Sequence, residues 1–218
     1  ARVLDTLRGI GGIVGAEVDG PTHRRVFVAG LFWRHGRCRL AVDEGPRPHT
    51  SAERLAGLAP LLPGGRITAA LASQVSDGAA ALLVASDRAV DRYRLTPLAR
   101  VHTMAVVGSD PVLMLTGPIP ATAAVLHRTG LSLADIDTVE INEAFASVVL
   151  AWADETGADL ARVNPQGGAL ALGHPLGATG ARLMTTLVHR MRRDHLRYGL
   201  QLMCEGGGMA NATVLERA

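Results

Sequence analysis

The side chains of this sequence that could do chemistry stand at the ends of apolar segments. They are Asn142, His174 and Cys204, and each is flanked by glycines or by a predicted helix start. An imidazole and a thiol exchange protons near neutral pH, and the three glycines after Glu205 could offer free N–H groups to an oxyanion. Each residue also has a structural interpretation: a loop anchor for His174, a helix cap for Asn142 and a small buried hydrophobe for Cys204.

His174 lies within a glycine-rich stretch, GGALALGHPLGATGAR, at residues 167–182. Glycine lets the main chain pass close to other groups, so this stretch predicts backbone near a ligand with His174 at a helix entrance. An amphipathic helix is predicted directly afterwards. Its apolar residues recur at helical spacing at Leu183, Met184, Leu187, Val188 and Met191.

A phosphate-binding loop is excluded in this stretch, although Gly168 and Gly173 have the separation of its glycines. Such a loop continues with Lys and a hydroxyl residue, whereas His174 and Pro175 follow here. Proline also lacks the N–H group that would hold a phosphate. The stretch is therefore interpreted as a shaped loop around the histidine.

The composition excludes several classes of function. All 22 basic residues of the 218 are arginines, so lysine-dependent Schiff-base, pyridoxal phosphate and Walker chemistry is absent. The net charge of +2 and the 3% aromatic content give no nucleic-acid signature. The two cysteines, Cys38 and Cys204, with no signal peptide or long apolar run, predict a reducing cytoplasm and no membrane association.

Metal and dinucleotide sites are not supported either. His174 and Cys204 would supply only two ligands, and the other histidines and Cys38 show no ligand spacing, so we expect no metal and no cofactor. In the glycine run at residues 9–15, Val14 stands where the third fingerprint glycine belongs. Loop-rich surface is the better interpretation of residues 1–50.

The middle of the chain predicts three short elements. A helix is expected over Ser51–Ala59 with Ser51 as its cap, and a strand over Arg66–Ser73. The alanine-rich segment Asp77–Val90 predicts a helix or a buried strand. Its surface is so apolar that something must cover it.

From about residue 96 onwards, strands alternate with helices. The sequence predicts strands at 96–104, 136–141, 200–203 and 212–215, helices at 118–129 and from Asn142, and a tight turn at CEGGGMAN. Such alternation is typical of a layered α/β domain.

The motifs resemble those of the thiolases, acyltransferases that join or cleave 3-ketoacyl-CoA. The matching segments, in the family's order, are VDEGPRPHT (42–50), ASQVSDGAAALL (72–83), LTGPIPAT (115–122), NEAFA (142–146), NPQGGALALGHPLGATGAR (164–182) and CEGGGMAN (204–211). The resemblance implies a thiolase-like α/β/α fold of two similar halves. Residues 1–95 would hold part of the N-terminal half with a loop-rich excursion, and residues 96–218 the whole C-terminal domain.

The resemblance also implies a role for each site residue. Cys204 would be the thiol that takes a proton from the α-carbon of an acyl-CoA, with Gly206 near an oxyanion hole. His174 would help to activate the nucleophilic thiol, and Asn142 would hold a water molecule at the other oxyanion hole. Ser73 would lie along the pantetheine of coenzyme A, which is a substrate here and not a cofactor.

One part of the family pattern is not recognised in this sequence. Thiolases carry a first, nucleophilic cysteine in their N-terminal half, and Cys38 in GRCRL has different surroundings. We therefore expect the chain to be inactive alone, with the missing half supplied by a longer protein or by a partner chain, and the intact protein to be a homo-oligomer. The alternative is a non-catalytic acyl-CoA or lipid-binding module, or an assembly subunit of degenerate thiolase type.

Overall fold

A computed structural model describes residues 30–33, 36–39 and 45–218 of the chain. It divides into two compact units, the first ending at Ser51 and the second spanning Ala52–Ala218. The glycine run at residues 9–15 lies outside the described residues. The predicted division at residue 96 concerns the two family halves and stays a prediction.

The first unit contains a β-hairpin that the sequence analysis did not predict. Strands β1 (Gly30–Trp33) and β2 (Gly36–Arg39) pair antiparallel, with Trp33 opposite Gly36. Two residues separate these strands in the sequence, and two-residue hairpins are usually recognised in a sequence by Asn-Gly or Asp-Gly. Arg34 and His35 stand there instead, so the turn signal is missing and this stretch of the loop-rich prediction is wrong.

The second unit is organised around a four-stranded mixed sheet in the order β3-β6-β5-β4. Its strands are β3 (Ala99–Gly108), β4 (Thr138–Ile141), β5 (Tyr198–Cys204) and β6 (Met209–Arg217). The β3–β6 and β6–β5 pairs are antiparallel, whereas β5 and β4 run parallel. These strands confirm the four predicted beyond residue 96.

Six α-helices lie among the described residues. They are α1 (Ala52–Ala56), α2 (Asp87–Tyr93), α3 (Pro118–Thr129), α4 (Ala146–Thr156), α5 (Ala169–Leu172) and α6 (Thr179–Arg193). Short 3-10 turns occupy Leu133–Asp135, Leu160–Arg162 and Gly206–Gly208. Within the described part of the chain, none of the helices is long and apolar enough to cross a membrane.

Helices cover both faces of the sheet. Leu200 and Leu202 of β5 join one core cluster with Trp152 of α4 and residues of α3. Their neighbour Gly199 faces the other way, since a Cβ there would lie 2.6 Å from the Met191 sulfur of α6. Because successive strand residues point to opposite faces, α6 lies across the sheet from α3 and α4. The predicted α/β/α layering is confirmed.

Two predictions for the middle of the chain are wrong. Arg66–Ser73 forms isolated bridges, including Ala72 to Phe145, and not a strand. The segment predicted as one element over Asp77–Val90 has no regular structure before α2 begins at Asp87. A strand needs a neighbouring strand to pair its backbone N–H and C=O groups, and among the described residues this segment has none. Its apolar side chains are also uncovered there, and Leu83 is 81% exposed.

Candidate active site

The parallel strands β4 and β5 end side by side, and this brings Asn142 to Cys204. The backbone N–H of Asn142 donates to the Leu202 carbonyl at 3.0 Å, which continues the ladder beyond Ile141. The Asn142 Nδ2 then donates to the Cys204 sulfur at 3.7 Å. Both side chains are buried, at 1% and 6% exposure. Two residues far apart in sequence thus meet at one edge of the sheet.

Asn142 is not a helix cap, so that prediction is wrong. Helix α4 begins at Ala146, and Phe145 occupies the cap position without a side-chain hydrogen bond. The sheet holds the Asn142 backbone in place and turns its amide towards the thiol. The helix starts only after the chain has left this edge, because Ala146 first donates to the Leu71 carbonyl.

A clamp missed by sequence reasoning fixes the end of β4. Asn164 brackets Ile141, accepting from its N–H and donating to its carbonyl at 2.8 Å each. The Asn164 amide also donates to Glu143 at 2.7 Å, and Glu143 accepts from the Leu170 N–H at 2.9 Å. Any side chain at Gly168 would collide with the Glu143 carboxylate. Gly168 therefore serves close packing beside the site, whereas Gly167 adopts a positive φ of 88° that favours glycine.

His174 is held by its backbone and by its ring. Its N–H donates to the Gln74 carbonyl at 2.7 Å, and its ring Nδ1 lies 2.7 Å from the Thr179 hydroxyl. Burial lowers the pKa of the ring, and the charge of Arg182 lowers it further. The imidazole is therefore neutral at neutral pH, which is the form that accepts a proton.

The segment 72–76 ties the histidine loop to the loop after β4. Ser73 donates from both its N–H and its hydroxyl to the Ala144 carbonyl, at 3.0 Å each. One residue further on, Gln74 receives the hydrogen bond from His174. The loops that carry Asn142 and His174 thus share one short connecting segment. The Ser73 hydroxyl has a partner within the chain, and its predicted contact with coenzyme A stays a prediction.

Cys204 leads into a turn that is built from glycines. Gly207 and Gly208 have positive φ values of 76° and 83°, which favour glycine, and the Gly208 carbonyl accepts from the Ser109 hydroxyl at 2.8 Å. Gly206 is exposed, and an added Cβ there would meet nothing within 4 Å. The turn therefore leaves open space at Gly206, two residues after Cys204.

The environment of Cys204 acts on the thiol in two directions. Burial raises the pKa of the thiol, while the hydrogen bond from Asn142 acts the other way. The protonated thiol is thus the resting form, and Asn142 is the side chain that favours the thiolate. Such a group can give a proton to a carbanion and take it back when a substrate excludes water.

A buried carboxylate beneath this edge was also missed. Glu140 of β4 is fully buried, and neither of its carboxylate oxygens has a hydrogen-bond partner among the described residues. Burial raises its pKa to about 7, although the charges of Arg182 and Arg190 on α6 act against this. A glutamate within an apolar strand pattern is the only sequence signal that could have drawn attention to it.

Comparisons with known proteins agree with this fold. The family model described as "Thiolase, C-terminal domain" matches residues 95–217, and "Thiolase, N-terminal domain" matches residues 32–88. The chain therefore belongs to the thiolase family. The resemblance noted in the sequence motifs is confirmed.

Several named thiolases are similar to this chain over most of its length. The steroid 3-ketoacyl-CoA thiolase of Mycobacterium tuberculosis is 63% identical over 176 residues, which cover 81% of this chain and 43% of that protein. The 3-oxoadipyl-CoA/3-oxo-5,6-dehydrosuberyl-CoA thiolase of Escherichia coli is 51% identical, covering 80% and 44%. The acetyl-CoA acetyltransferase structure from Bacillus anthracis is 38% identical with a TM-score of 0.83, covering 89% and 50%. The chain thus spans about half the length of these proteins.

Proposed function

We propose that this chain is part of a thiolase-type acyltransferase that cleaves 3-ketoacyl-CoA with coenzyme A or forms it by Claisen condensation. The observation that carries the proposal is the contact of Asn142 with Cys204 at 3.7 Å, at the carboxyl ends of parallel strands. The histidine loop is tied to the same edge through segment 72–76. Family membership and the activities for which the relatives are named support this class of reaction.

In the condensing direction, Cys204 acts as the base. Its thiolate takes a proton from the α-carbon of an acyl-CoA, the C–H bond breaks and an S–H bond forms, and the electron pair becomes an enolate. Backbone groups near Gly206 stabilise the enolate oxygen. In the cleaving direction the Cys204 thiol returns that proton to the departing carbon. The raised pKa of Cys204 suits this direction, because a protonated thiol is an acid.

His174 and Asn142 serve the same centre. The neutral imidazole accepts a proton from the thiol that carries the acyl group, and it donates hydrogen bonds to a thioester oxygen once charged. Asn142 holds a water molecule at that oxygen and keeps its amide against Cys204. Ser73 lies along the pantetheine, and the intact protein is a cytoplasmic homo-oligomer.

The acyl-carrying thiol is proposed to come from outside the segments that match the family here. The purified 218-residue chain is then expected to show no thiolysis of acetoacetyl-CoA. Fusion to the N-terminal half of the Mycobacterium tuberculosis relative is expected to restore it, and Cys204→Ala in the fusion is expected to remove it again. Thiolysis by the chain alone would contradict the proposal, and its loss in Cys38→Ser would assign the acyl-carrying thiol to Cys38.

A second candidate is a non-catalytic acyl-CoA-binding module, which the raised pKa of the buried Cys204 favours because thiolate is scarce. Titration with coenzyme A together with a thiolysis assay separates the two functions. A module binds coenzyme A equally well in the fused protein and its Cys204→Ala variant, and neither variant cleaves acetoacetyl-CoA. An enzyme also binds coenzyme A in both proteins, but only the fused protein with Cys204 cleaves acetoacetyl-CoA.

A further inference from the structure

The ring of His174 has a side-chain partner whose role the proposed reaction leaves open. The partner is Thr179, the first residue of α6, and its hydroxyl oxygen lies 2.7 Å from the ring Nδ1. Thr179 is fully buried, at 0% exposure. A buried hydroxyl in contact with a ring nitrogen must either donate its hydrogen to that nitrogen or accept one from it.

A second contact of the hydroxyl decides the direction. The Thr179 hydroxyl oxygen also lies 3.0 Å from the Pro175 carbonyl oxygen. A carbonyl has no hydrogen to give, so the hydrogen between these two oxygens belongs to Thr179. Because a hydroxyl has one hydrogen, Thr179 has none left for the imidazole. With the hydroxyl hydrogen directed at the Pro175 carbonyl, the ring donates from its Nδ1–H to the Thr179 oxygen.

The first turn of α6 keeps this hydroxyl in place. The Thr179 N–H donates to the same Pro175 carbonyl at 2.9 Å, and the Gln201 amide of β5 donates to the Gly180 carbonyl at 2.8 Å. Threonine is β-branched and has restricted side-chain rotation in a helix. The acceptor that faces His174 is thus fixed by the helix and, through the helix, by the sheet.

We propose that Thr179 is a positioning residue that fixes the tautomer of His174, with the proton on Nδ1 and with Nε2 unprotonated. Nε2 is then the atom that accepts a proton from a thiol: the S–H bond breaks, an Nε2–H bond forms, and the Nδ1–H bond to Thr179 is unchanged. The Nδ1–H group donates to Thr179 in both the neutral and the charged ring, so no side chain has to rearrange during the transfer. This consequence rests on the proposed function, whereas the tautomer itself does not.

The tautomer is measured directly by NMR on the purified chain labelled with ¹⁵N-histidine. His174→Gln identifies the signals of residue 174 among the eight histidines. At a pH where the ring is neutral, the wild type and Thr179→Ser are expected to show Nδ1 protonated. Thr179→Val keeps the side-chain shape without the hydroxyl, and it is expected to show a mixture of both tautomers.

Two results would overturn the proposal: a proton on Nε2 in the wild type, or the same tautomer in Thr179→Val as in the wild type. If Thr179→Val does not fold, the wild-type spectrum still tests the tautomer, because a proton on Nε2 refutes the proposal. In the fused enzyme, Thr179→Val is expected to lower the thiolysis rate about ten- to a hundredfold, with rescue by Thr179→Ser. A confirmed tautomer with no thiolysis in any fusion would leave the positioning role standing and refute the proposed function.

Discussion

At the scale of single residues, Cys204 combines two opposing influences in one buried contact. Its surroundings favour the neutral thiol, and the amide of Asn142 is the one side chain among its described contacts that stabilises the thiolate. The balance between them sets how readily the sulfur gives or takes a proton. Replacing Asn142 should therefore shift the titration of Cys204 in a known direction.

We predict that Asn142→Ala raises the pKa of Cys204. Loss of a hydrogen bond worth about 1 kcal/mol lowers the thiolate fraction roughly fivefold at any pH below that pKa. The measurement is the rate of iodoacetamide alkylation against pH, in a Cys38→Ser background so that Cys204 is the sole thiol. Easier access would speed alkylation at every pH without moving the midpoint. A midpoint that stays the same or falls would refute the influence of Asn142.

Gly173, immediately before His174, gives a second prediction at this scale. It has φ of 86° and ψ of 166°, and any side chain there would collide with the Ser76 hydroxyl. We expect Gly173→Ala to lower the free energy of unfolding by roughly 1–3 kcal/mol, since only glycine adopts this conformation without strain. Urea denaturation measures the change.

A matched control for Gly173 lies in the same loop. Gly177 would place an added Cβ in open space and has no positive φ. Gly177→Ala is therefore expected to change the free energy of unfolding by less than about 0.5 kcal/mol. If both variants lost the same free energy of unfolding, backbone strain at Gly173 would not be the cause of the loss.

At the scale of elements, the contact between β4 and α6 contains the buried Glu140. Its pKa is raised from 4.5 to about 7, so the folded protein holds this proton more tightly than the unfolded chain does. The stability that it contributes is fully present below pH 4.5 and is lost as the pH rises through about 7. The loss across this window amounts to about 3 kcal/mol.

We predict that Glu140→Gln removes this part of the pH dependence. The glutamine keeps the shape of the side chain, and its amide does not titrate between pH 5 and pH 8. Urea unfolding at pH 5 and pH 8 should show a smaller fall in stability for the variant than for the wild type. Glu155→Gln, an exposed change on α4, serves as the control and should retain the wild-type fall. A fall of the same size in Glu140→Gln and the wild type would contradict the assignment.

Elements with a local signal were predictable from the sequence, and those that depend on distant partners were not. Helix α3 begins at Pro118 and ends before Gly130, as a proline in the first turn and a glycine after the last turn indicate.

Other positions depend on contacts that are distant in sequence. Asn142 carries the same cap signal as many helix starts, yet the sheet and Cys204 determine its place. Arg66–Ser73 has a strand-like pattern but meets only single residues of other segments. Glu143 and Asn164 of the clamp are 21 residues apart, and no repeating pattern in the sequence indicates that they meet.

At the scale of the whole molecule, several segments that are distant in sequence meet at one edge of the sheet. Strands β4 and β5, the 72–76 segment and the first turn of α6 converge on that edge within the unit Ala52–Ala218. The exposed apolar residues Leu83 and Val84 follow this segment. The sequence predicts that something covers them, and this stays a prediction.

The central claim is that Cys204 exchanges a proton with the α-carbon of an acyl-CoA. The most direct measurement is the exchange of deuterium from D₂O into the methyl group of acetyl-CoA, catalysed by the fused enzyme and followed by mass spectrometry. We predict exchange in the fusion and a loss of at least about a hundredfold in Cys204→Ala, with none of that loss in Cys38→Ser. Exchange at the same rate in Cys204→Ala would contradict the account.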